Sequence, residues 1–305
     1  MRKVGVIGIG HVGVTVAFSL FTSGGADQLV LIDTKKEKAT AEVNDFKDAL
    51  ARNHHHLVVV DGDYSELADA DVIVTAFGDV AATVASGDRF GEFNFNTVQA
   101  QSVGAQIKAS GFHGIIVDIS NPCDVVTNIL QQTSGLPRNH VFGTGTSLDT
   151  ARMQRAVAAY LGDQDPRNIG GYVLGEHGNS QFTAWSTVTV GTRPLAEFID
   201  DPSVYPQMEE AARQGGFVTA AGKGYTNYAV ATCAVRLVEA VFSDARLLTP
   251  VSTYVEKVGT YVGYPAFVGA DGVVKVHDLE LTADENAQLE KTATYLKENA
   301  AKVGF

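Results

Sequence analysis

Five short apolar runs punctuate the first half of the chain: KVGVIGIG beginning at Lys3, QLVLID, HLVVV, DVIVTAFG and GIIVDIS. Each is rich in Val and Ile and continuous rather than alternating, as strands buried on both faces of a parallel sheet are. Between them lie stretches with helical spacing, notably residues 11–23 and KKEKATAEVNDFKDALAR. Strands alternating with helices at this length predict an open α/β sheet with right-handed crossovers. VFGTG at 141–145 reads as a sixth strand that completes a doubly wound arrangement.

From about Leu148 the rhythm changes. A helix over DTARMQRAVAAYLG is followed by YVLGEHGNSQFTAWS and a strand-like STVTVG. Then come an amphipathic segment at 205–215 and a long helix from about Tyr225 to Ser243. TPVSTYVE and YPAFVGADGVVKV predict antiparallel strands, the second pair turning at Asp271-Gly272. The final helix starts with Thr282 as N-cap and Glu285 completing a capping box. The expected division is residues 1–145 as a parallel α/β domain and 146–305 as an α+β domain with antiparallel strands. No Gly/Ser-rich linker separates them, so close packing is expected.

The 305-residue length fits about two domains. Hydrophobic content of 45% with 19% charged residues is ordinary globular composition. A net charge of -12 without a basic cluster argues against a nucleic-acid partner. Cys123 and Cys233 lie far apart in apolar settings and read as reduced core thiols. The first strand begins by Lys3, and no apolar run approaches the roughly 20 residues of a membrane span. A cytoplasmic protein without membrane contact is the expectation. NHHHLV is expected to be a solvated strand entry, since consecutive strand side chains face opposite ways and cannot converge on one ion. No metal site is expected.

VGVIGIGHVG adds chemistry to this frame. Gly8, Gly10 and Gly13 follow the first strand and open the first helix. The first allows a tight turn, the second lets backbone approach a pyrophosphate, and the third lets helix pack on strand. Asp33 ends the second strand, where its carboxylate can accept from adenine-ribose hydroxyls and repel a 2′-phosphate. Lys35 and Lys36 soften that preference only slightly. The pattern predicts a Rossmann-type domain that binds NAD.

A bound nicotinamide needs a proton carrier near neutral pH, a cation to polarise a carbonyl and an anchor for the substrate. His177 in the Gly-flanked GEHGN suits the first task, since a histidine ordinarily titrates near 6.5. Asp149 can hold the far side of that ring, although alone it reads equally as a helix N-cap. Arg152, three residues on, suits a bidentate grip on a carboxylate, or an ordinary surface pair with Asp149. Arg89 lies in GDVAATVASGDRFGEF, a glycine-spaced stretch able to close over a substrate, where a solvated arginine is the plainer alternative. The amide of Asn121 in DISNPCDV can reach cofactor and substrate, although Asn-Pro also simply starts turns.

Taken in order, GIGHVG, Asp33, SNP, LDTARMQR, GEHGNS and GKGYTNYAVA resemble the L-lactate/L-malate dehydrogenase family over essentially the whole chain. The resemblance implies His177 as acid/base, Asp149 as its partner and Arg152 as carboxylate anchor. It also implies Arg89 as the loop arginine, Asn121 as an orienting amide that also serves the cofactor, and Thr226 on the substrate side. With it come interconversion of 2-oxo and L-2-hydroxy acids with NAD, and a homotetramer. Malate-type members resemble this chain but carry a second loop arginine, whereas residues 79–88 read DVAATVASGD without Lys or Arg. Lactate-type members have Gln in that loop and GEHGD, where this chain has Asn179 and a loop about two residues longer. The pattern is most similar to bacterial L-2-hydroxyisocaproate dehydrogenases, which implies a roomier apolar pocket lined by Val80, Thr83 or Val84. The alternative is a lactate dehydrogenase acting mainly on pyruvate. Gln154 replaces an arginine found in members activated by fructose 1,6-bisphosphate, so that control is not expected. Two rivals of other classes are an NAD-dependent glycosidase with a metal at Cys123, and a non-catalytic NAD sensor. GEHGN together with Arg152 suits a carboxylate substrate better than the first, and a sensor would need no aligned His, Asp and two Arg.

Overall fold

The computed structural model describes residues 1–78 and 89–305, with Arg89 and Phe90 described by their backbone only. The five apolar runs become β1 (Lys3–Ile7), β2 (Gln28–Ile32), β3 (Val58–Asp61), β4 (Val72–Thr75) and β5 (Ile115–Asp118), and β6 (Val141–Gly143) joins them. All six pair in parallel in the order β6-β5-β4-β1-β2-β3. Every residue of β1, β4, β5 and β6 is buried, which explains why the runs do not alternate.

The two faces are still distinct, because successive side chains point opposite ways. Val4, Val6, Val72 and Val74 pack against α1 (His11–Ser23) and α2 (Lys36–Ala49). Ile7, Val30, Ile73 and Ile116 pack on the other side against α3 (Phe93–Ser110) and α4 (Cys123–Ser134). Helices on both faces make the Rossmann-type doubly wound sheet that the chain's rhythm predicts.

The antiparallel strands are placed differently from the simplest expectation. β10 (Leu247–Val255), β11 (Thr260–Gly269) and β12 (Gly272–Val276) extend the first sheet beyond β6, through Ser252 opposite Gly143, into one nine-stranded mixed sheet. A separate three-stranded antiparallel sheet holds β7 (Ile169–Leu174), β8 (Phe182–Val190) and β9 (Arg193–Pro194). It shares a core with α5 (Ser147–Tyr160) and α6 (Tyr205–Lys223), in which Met153, Val157, Val173, Val188 and Met208 are buried. The remaining helices, α7 (Tyr228–Phe242) and α8 (Ala283–Ala301), cover opposite faces of the large sheet.

Several local expectations shift. Gly269 pairs with Gly272, so the β11–β12 turn is Ala270-Asp271, one residue earlier than the Asp-Gly signal suggested. Helix α6 continues through Gly215-Gly216 to Lys223, beyond the amphipathic segment expected at 205–215. Helix α7 starts at Tyr228 behind Asn227, which leaves Tyr225 and Thr226 in the preceding turn. The capping box at Thr282 and Glu285 is formed as expected. His54, His55 and His56 are exposed, in a bend before β3 rather than on a strand. Both cysteines are free. Among the described residues no helix is long and apolar enough to cross a membrane.

Candidate functional site

The junction between β1 and α1 is built to admit an anion. Gly8 has φ +88°, and a side chain there would meet Phe77 N at 2.7 Å. A Cβ on Gly13 would lie 2.0 Å from the Gly8 carbonyl oxygen, so helix and strand can approach only with glycine. A Cβ on Gly10, by contrast, meets nothing within 4 Å among the described residues, so its backbone faces open space. Among the described residues no side chain caps α1, and its first turn holds no acidic residue, which leaves backbone N–H groups for a diphosphate. Asp33 is fixed just beyond β2, accepting from Ile9 N–H at 3.0 Å and Lys35 N–H at 2.9 Å. Lys36 donates to the Gly62 carbonyl at 3.3 Å and Lys38 to that of Ile9, so both hold backbone. The open glycine, the uncapped helix and the oriented carboxylate fit a dinucleotide.

The second half of the site comes from the turn between β7 and β8. Gly175 has φ +95° and pairs with Gly263 of β11, which starts the turn against the large sheet. The ring Nδ1 of His177 bonds Asp149 Oδ2, and Arg152 Nη1 donates to Asp149 Oδ1 at 3.1 Å. Asp149 is wholly buried, with 0% side-chain exposure, while Arg152 keeps 11% and His177 15%. The N-cap of α5 is Thr146, so Asp149 sits inside the first turn and its capping alternative does not hold. One carboxylate therefore bridges an imidazole and a guanidinium. With Asp149 accepting at Nδ1, the other ring nitrogen is the one able to serve the cavity.

Beneath this pair lie carboxylates that the chain's patterns did not single out. Asp124 accepts the His177 backbone N–H at 2.8 Å and the Ser252 hydroxyl at 2.6 Å. Burial, reinforced by the charges of Glu176 and Asp149, pushes its carboxyl up to about 7 against those hydrogen bonds. Asp118 accepts from Thr75 Oγ1 at 2.7 Å, Ser120 N–H at 3.0 Å and Thr127 Oγ1 at 3.1 Å, and burial raises it likewise to about 7. Burial, with Asp118 and Asp124 nearby, also drives the Cys123 thiol well above its ordinary value, so it is no ready metal ligand. Glu176 is buried and accepts from Ser180 N–H at 2.8 Å and Ser180 Oγ at 2.5 Å, bracing the turn. The only hint to Asp124 was its place just after Asn-Pro, since its partners lie far along the chain.

Asn121, Arg152, His177 and Thr226 line one cavity of about 190 Å³ with Gly10 and His11. Asn96 donates to the Asn121 carbonyl at 2.5 Å. Helix α6 forms the wall beside Arg152, where a Cβ on Gly216 would lie 3.0 Å from Nη2 and one on Gly215 would lie 3.3 Å from Cδ. Phe217 and Ala220 continue that wall, and Ile119 and Val230 add apolar surface. The structure thus gathers segments from widely separated parts of the chain around one space. Val80, Thr83 and Val84 lie outside the described residues, as does the side chain of Arg89. Among the described residues no three His, Cys, Asp or Glu side chains group as a metal site.

Comparison with known proteins bears on what this cavity serves. The NAD-binding domain of lactate/malate dehydrogenases matches residues 2–143, and their alpha/beta C-terminal domain matches residues 146–304. The chain belongs to the lactate/malate dehydrogenase family. L-lactate dehydrogenase 1 of Bifidobacterium longum is 39% identical over 98% of this chain and 96% of its own. L-lactate dehydrogenase of Priestia megaterium is 36% identical over 97% and 95%. A lactate dehydrogenase from a Medee basin deep-sea metagenome library superposes with a TM-score of 0.93, at 32% identity and full coverage of both chains. The minor L-lactate dehydrogenase of Enterococcus mundtii superposes equally, at 0.93 and 33% identity, over 99% and 98%. This lactate/malate dehydrogenase family member is an NAD-dependent oxidoreductase acting on 2-hydroxy acids.

Proposed function

We propose that this dehydrogenase reduces 2-oxo acids with an apolar, branched side chain of the 2-oxoisocaproate type to L-2-hydroxy acids, and reverses the reaction. The observation that carries the side-chain preference is the Gly215-Gly216 pair. It leaves the cavity wall beside Arg152 without side chains, where bulk would crowd the guanidinium. The surrounding wall of Ile119, Phe217, Ala220 and Val230 favours methylene groups, each worth about 0.8 kcal/mol when buried. Residues 79–88 carry no Lys or Arg, so that segment offers no partner for a second carboxylate of oxaloacetate.

In this reading Arg152 grips the substrate carboxylate, and its bond to Asp149 fixes the fork for that contact. His177 delivers a proton to the carbonyl oxygen during reduction and removes it from the hydroxyl during oxidation. Asp149 holds the ring so that the proton leaves from the nitrogen opposite. Arg89 polarises the carbonyl, Asn121 orients both substrate and cofactor, and Thr226 bounds the substrate side. Gly8, Gly10, Gly13 and Asp33 would hold NAD, which would supply or take up the hydride at the carbon that carries the oxygen. We assign residues 1–145 to cofactor binding and 146–305 to catalysis, in a cytoplasmic homotetramer.

A second reading, reduction chiefly of pyruvate, is favoured by one observation: the matched relatives are named L-lactate dehydrogenases. A panel of 2-oxo acids with NADH separates the two. We expect kcat/KM for 2-oxoisocaproate to exceed that for both pyruvate and oxaloacetate. Pyruvate ahead would replace the first reading with the second, and oxaloacetate ahead would overturn both. His177→Asn should abolish turnover while retaining NADH affinity; surviving turnover would remove His177 from the chemistry.

A further inference from the structure

The rings of His11 and Tyr225 lie face to face, centroids 3.7 Å apart and planes parallel. They come from opposite sides of the cleft. His11 opens α1 immediately after Gly10, and Tyr225 stands in the turn between α6 and α7, one residue before Thr226. Both rings line the same cavity as His177 and Arg152.

A second tie runs beside the first. Asn227, which is buried, donates from Nδ2 to Thr15 Oγ1 at 2.9 Å, and Thr15 lies one helical turn beyond His11. Thr15 in turn donates to the His11 carbonyl at 2.6 Å. Lys223, at the end of α6, bonds Asn227 Oδ1 and sets its ammonium 4.8 Å from the Tyr225 ring centroid and 3.7 Å from that of Tyr228. The 223–228 turn is therefore fastened to the first turns of the dinucleotide helix at two points.

We propose that His11 and Tyr225 are a cofactor-positioning pair: their stacked rings form one rim of the dinucleotide site, built jointly by α1 and the α6–α7 turn. The argument starts at Gly10. The helix N–H groups there would hold a diphosphate at one point only, so a further contact is needed to fix the parts of the dinucleotide that lie along the cavity. A flat ring leaving the very next residue supplies that contact, and stacking on Tyr225 removes the ring's own freedom. The Lys223 ammonium, 4.8 Å from the Tyr225 ring centroid, adds a cation–π contact that further holds that ring. Because Thr226 follows Tyr225 directly, the same contact sets the substrate side of the cavity from the cofactor side. Neither ring is needed for the core, since His11 is exposed and Tyr225 half-buried.

The test is NADH binding to the substrate-free protein, followed by nucleotide fluorescence, for His11→Ala, Tyr225→Ala, the double variant and Tyr225→Phe. Each alanine variant should raise the NADH Kd by about 2- to 10-fold, the range an aromatic pair supports. The double variant should be no weaker than the worse single one, because removing either ring already breaks the stack. Tyr225→Phe keeps the ring and should bind as the parent does. Thermal melting of each variant accompanies the titration, with unchanged midpoints expected. Alanine variants that bind like the parent, penalties that simply add, or a phenylalanine variant as weak as the alanine one would overturn the pairing. Binding read without a 2-oxo acid is independent of substrate choice, so failure here leaves the substrate reading standing.

Discussion

Replacing Gly216 by alanine should stabilise the fold and damage the enzyme at once. Gly216 lies inside α6, where glycine costs about 0.8–1.0 kcal/mol relative to alanine. The new Cβ would stand 3.0 Å from Arg152 Nη2, 3.4 Å from Cζ and 3.5 Å from Nη1. Those contacts are tight, but they fall on the far end of a flexible side chain, which can yield where backbone cannot. The helix therefore keeps most of its gain, and the melting temperature should rise by about 2 °C. The guanidinium is pushed off the position set by its 3.1 Å bond to Asp149. On the proposed role of Arg152, a displaced charge-assisted contact to the substrate carboxylate costs about 1.5–3 kcal/mol, or about 10- to 150-fold in kcat/KM. The measurements are a thermal melt and steady-state kinetics over a range of 2-oxo acid concentrations, with NADH saturating. A lower melting temperature with an unchanged KM would refute the reasoning, because it would mean that the helix, not the arginine, yields to the methyl group.

Four further substitutions probe other parts of the argument. Asp118→Asn addresses the carboxyl that burial raises to about 7, against an ordinary 3.8. A raised carboxyl contributes its stability in the neutral form, fully below about pH 4 and lost as pH climbs through about 7, so denaturant midpoints should favour the asparagine variant increasingly from pH 5 to pH 8. A gap that stays constant over that window would show that Asp118 does not titrate as burial requires. Thr282→Ala removes the hydroxyl that accepts from Glu285 N–H at 3.2 Å and should cost about 1 kcal/mol of unfolding free energy, leaving kcat untouched; a loss of turnover would contradict its purely structural place. Gly10→Ala and Gly13→Ala should part company, the first melting like the parent but binding NADH more weakly, the second melting lower because its Cβ would lie 2.0 Å from the Gly8 oxygen. Equal melting losses would deny the contrast between open and packed glycine.

What the chain disclosed in advance follows from how far apart the interacting residues lie. GIGHVG is legible because strand, turn and helix are consecutive, so three glycines carry three separate steric demands in one short stretch. Asp149 and Arg152 are legible as a pair because helical spacing puts residues three apart on one face. The bond from Asp149 to His177 spans 28 residues, and the residues alone offered it only as an equal alternative to a helix N-cap; the family resemblance favoured the bond, and no local period could decide. Asp124 beneath His177, and Ser252 beneath Asp124, lie still further apart, at separations of 53 and 128 residues. No periodicity encodes such meetings. Nor did it encode that β10–β12 would join the sheet edge at β6, since antiparallel strands pattern alike whichever edge they pair with.

That choice of edge has a mechanical consequence for the site. Because β10 adds beside β6, Ser252 reaches Asp124 at the start of α4, and Asp124 carries the backbone of His177. Because β11 lies next to β10, Gly263 pairs with Gly175 at the mouth of the same turn. The turn that carries His177 is thus held from two sides by the sheet that also carries Gly8 and ends in Asp33. Its position relative to the dinucleotide is set by strand register, a rigid relation, rather than by packing of two bodies across a linker. The facing wall of the cavity is left to α6 and the turn that follows it, where Gly216 meets Arg152 and Tyr225 meets His11. Substitutions in α6 should therefore tune which acid is accepted while the proton chemistry stays in place, and substitutions at Asp124 or Ser252 should do the reverse.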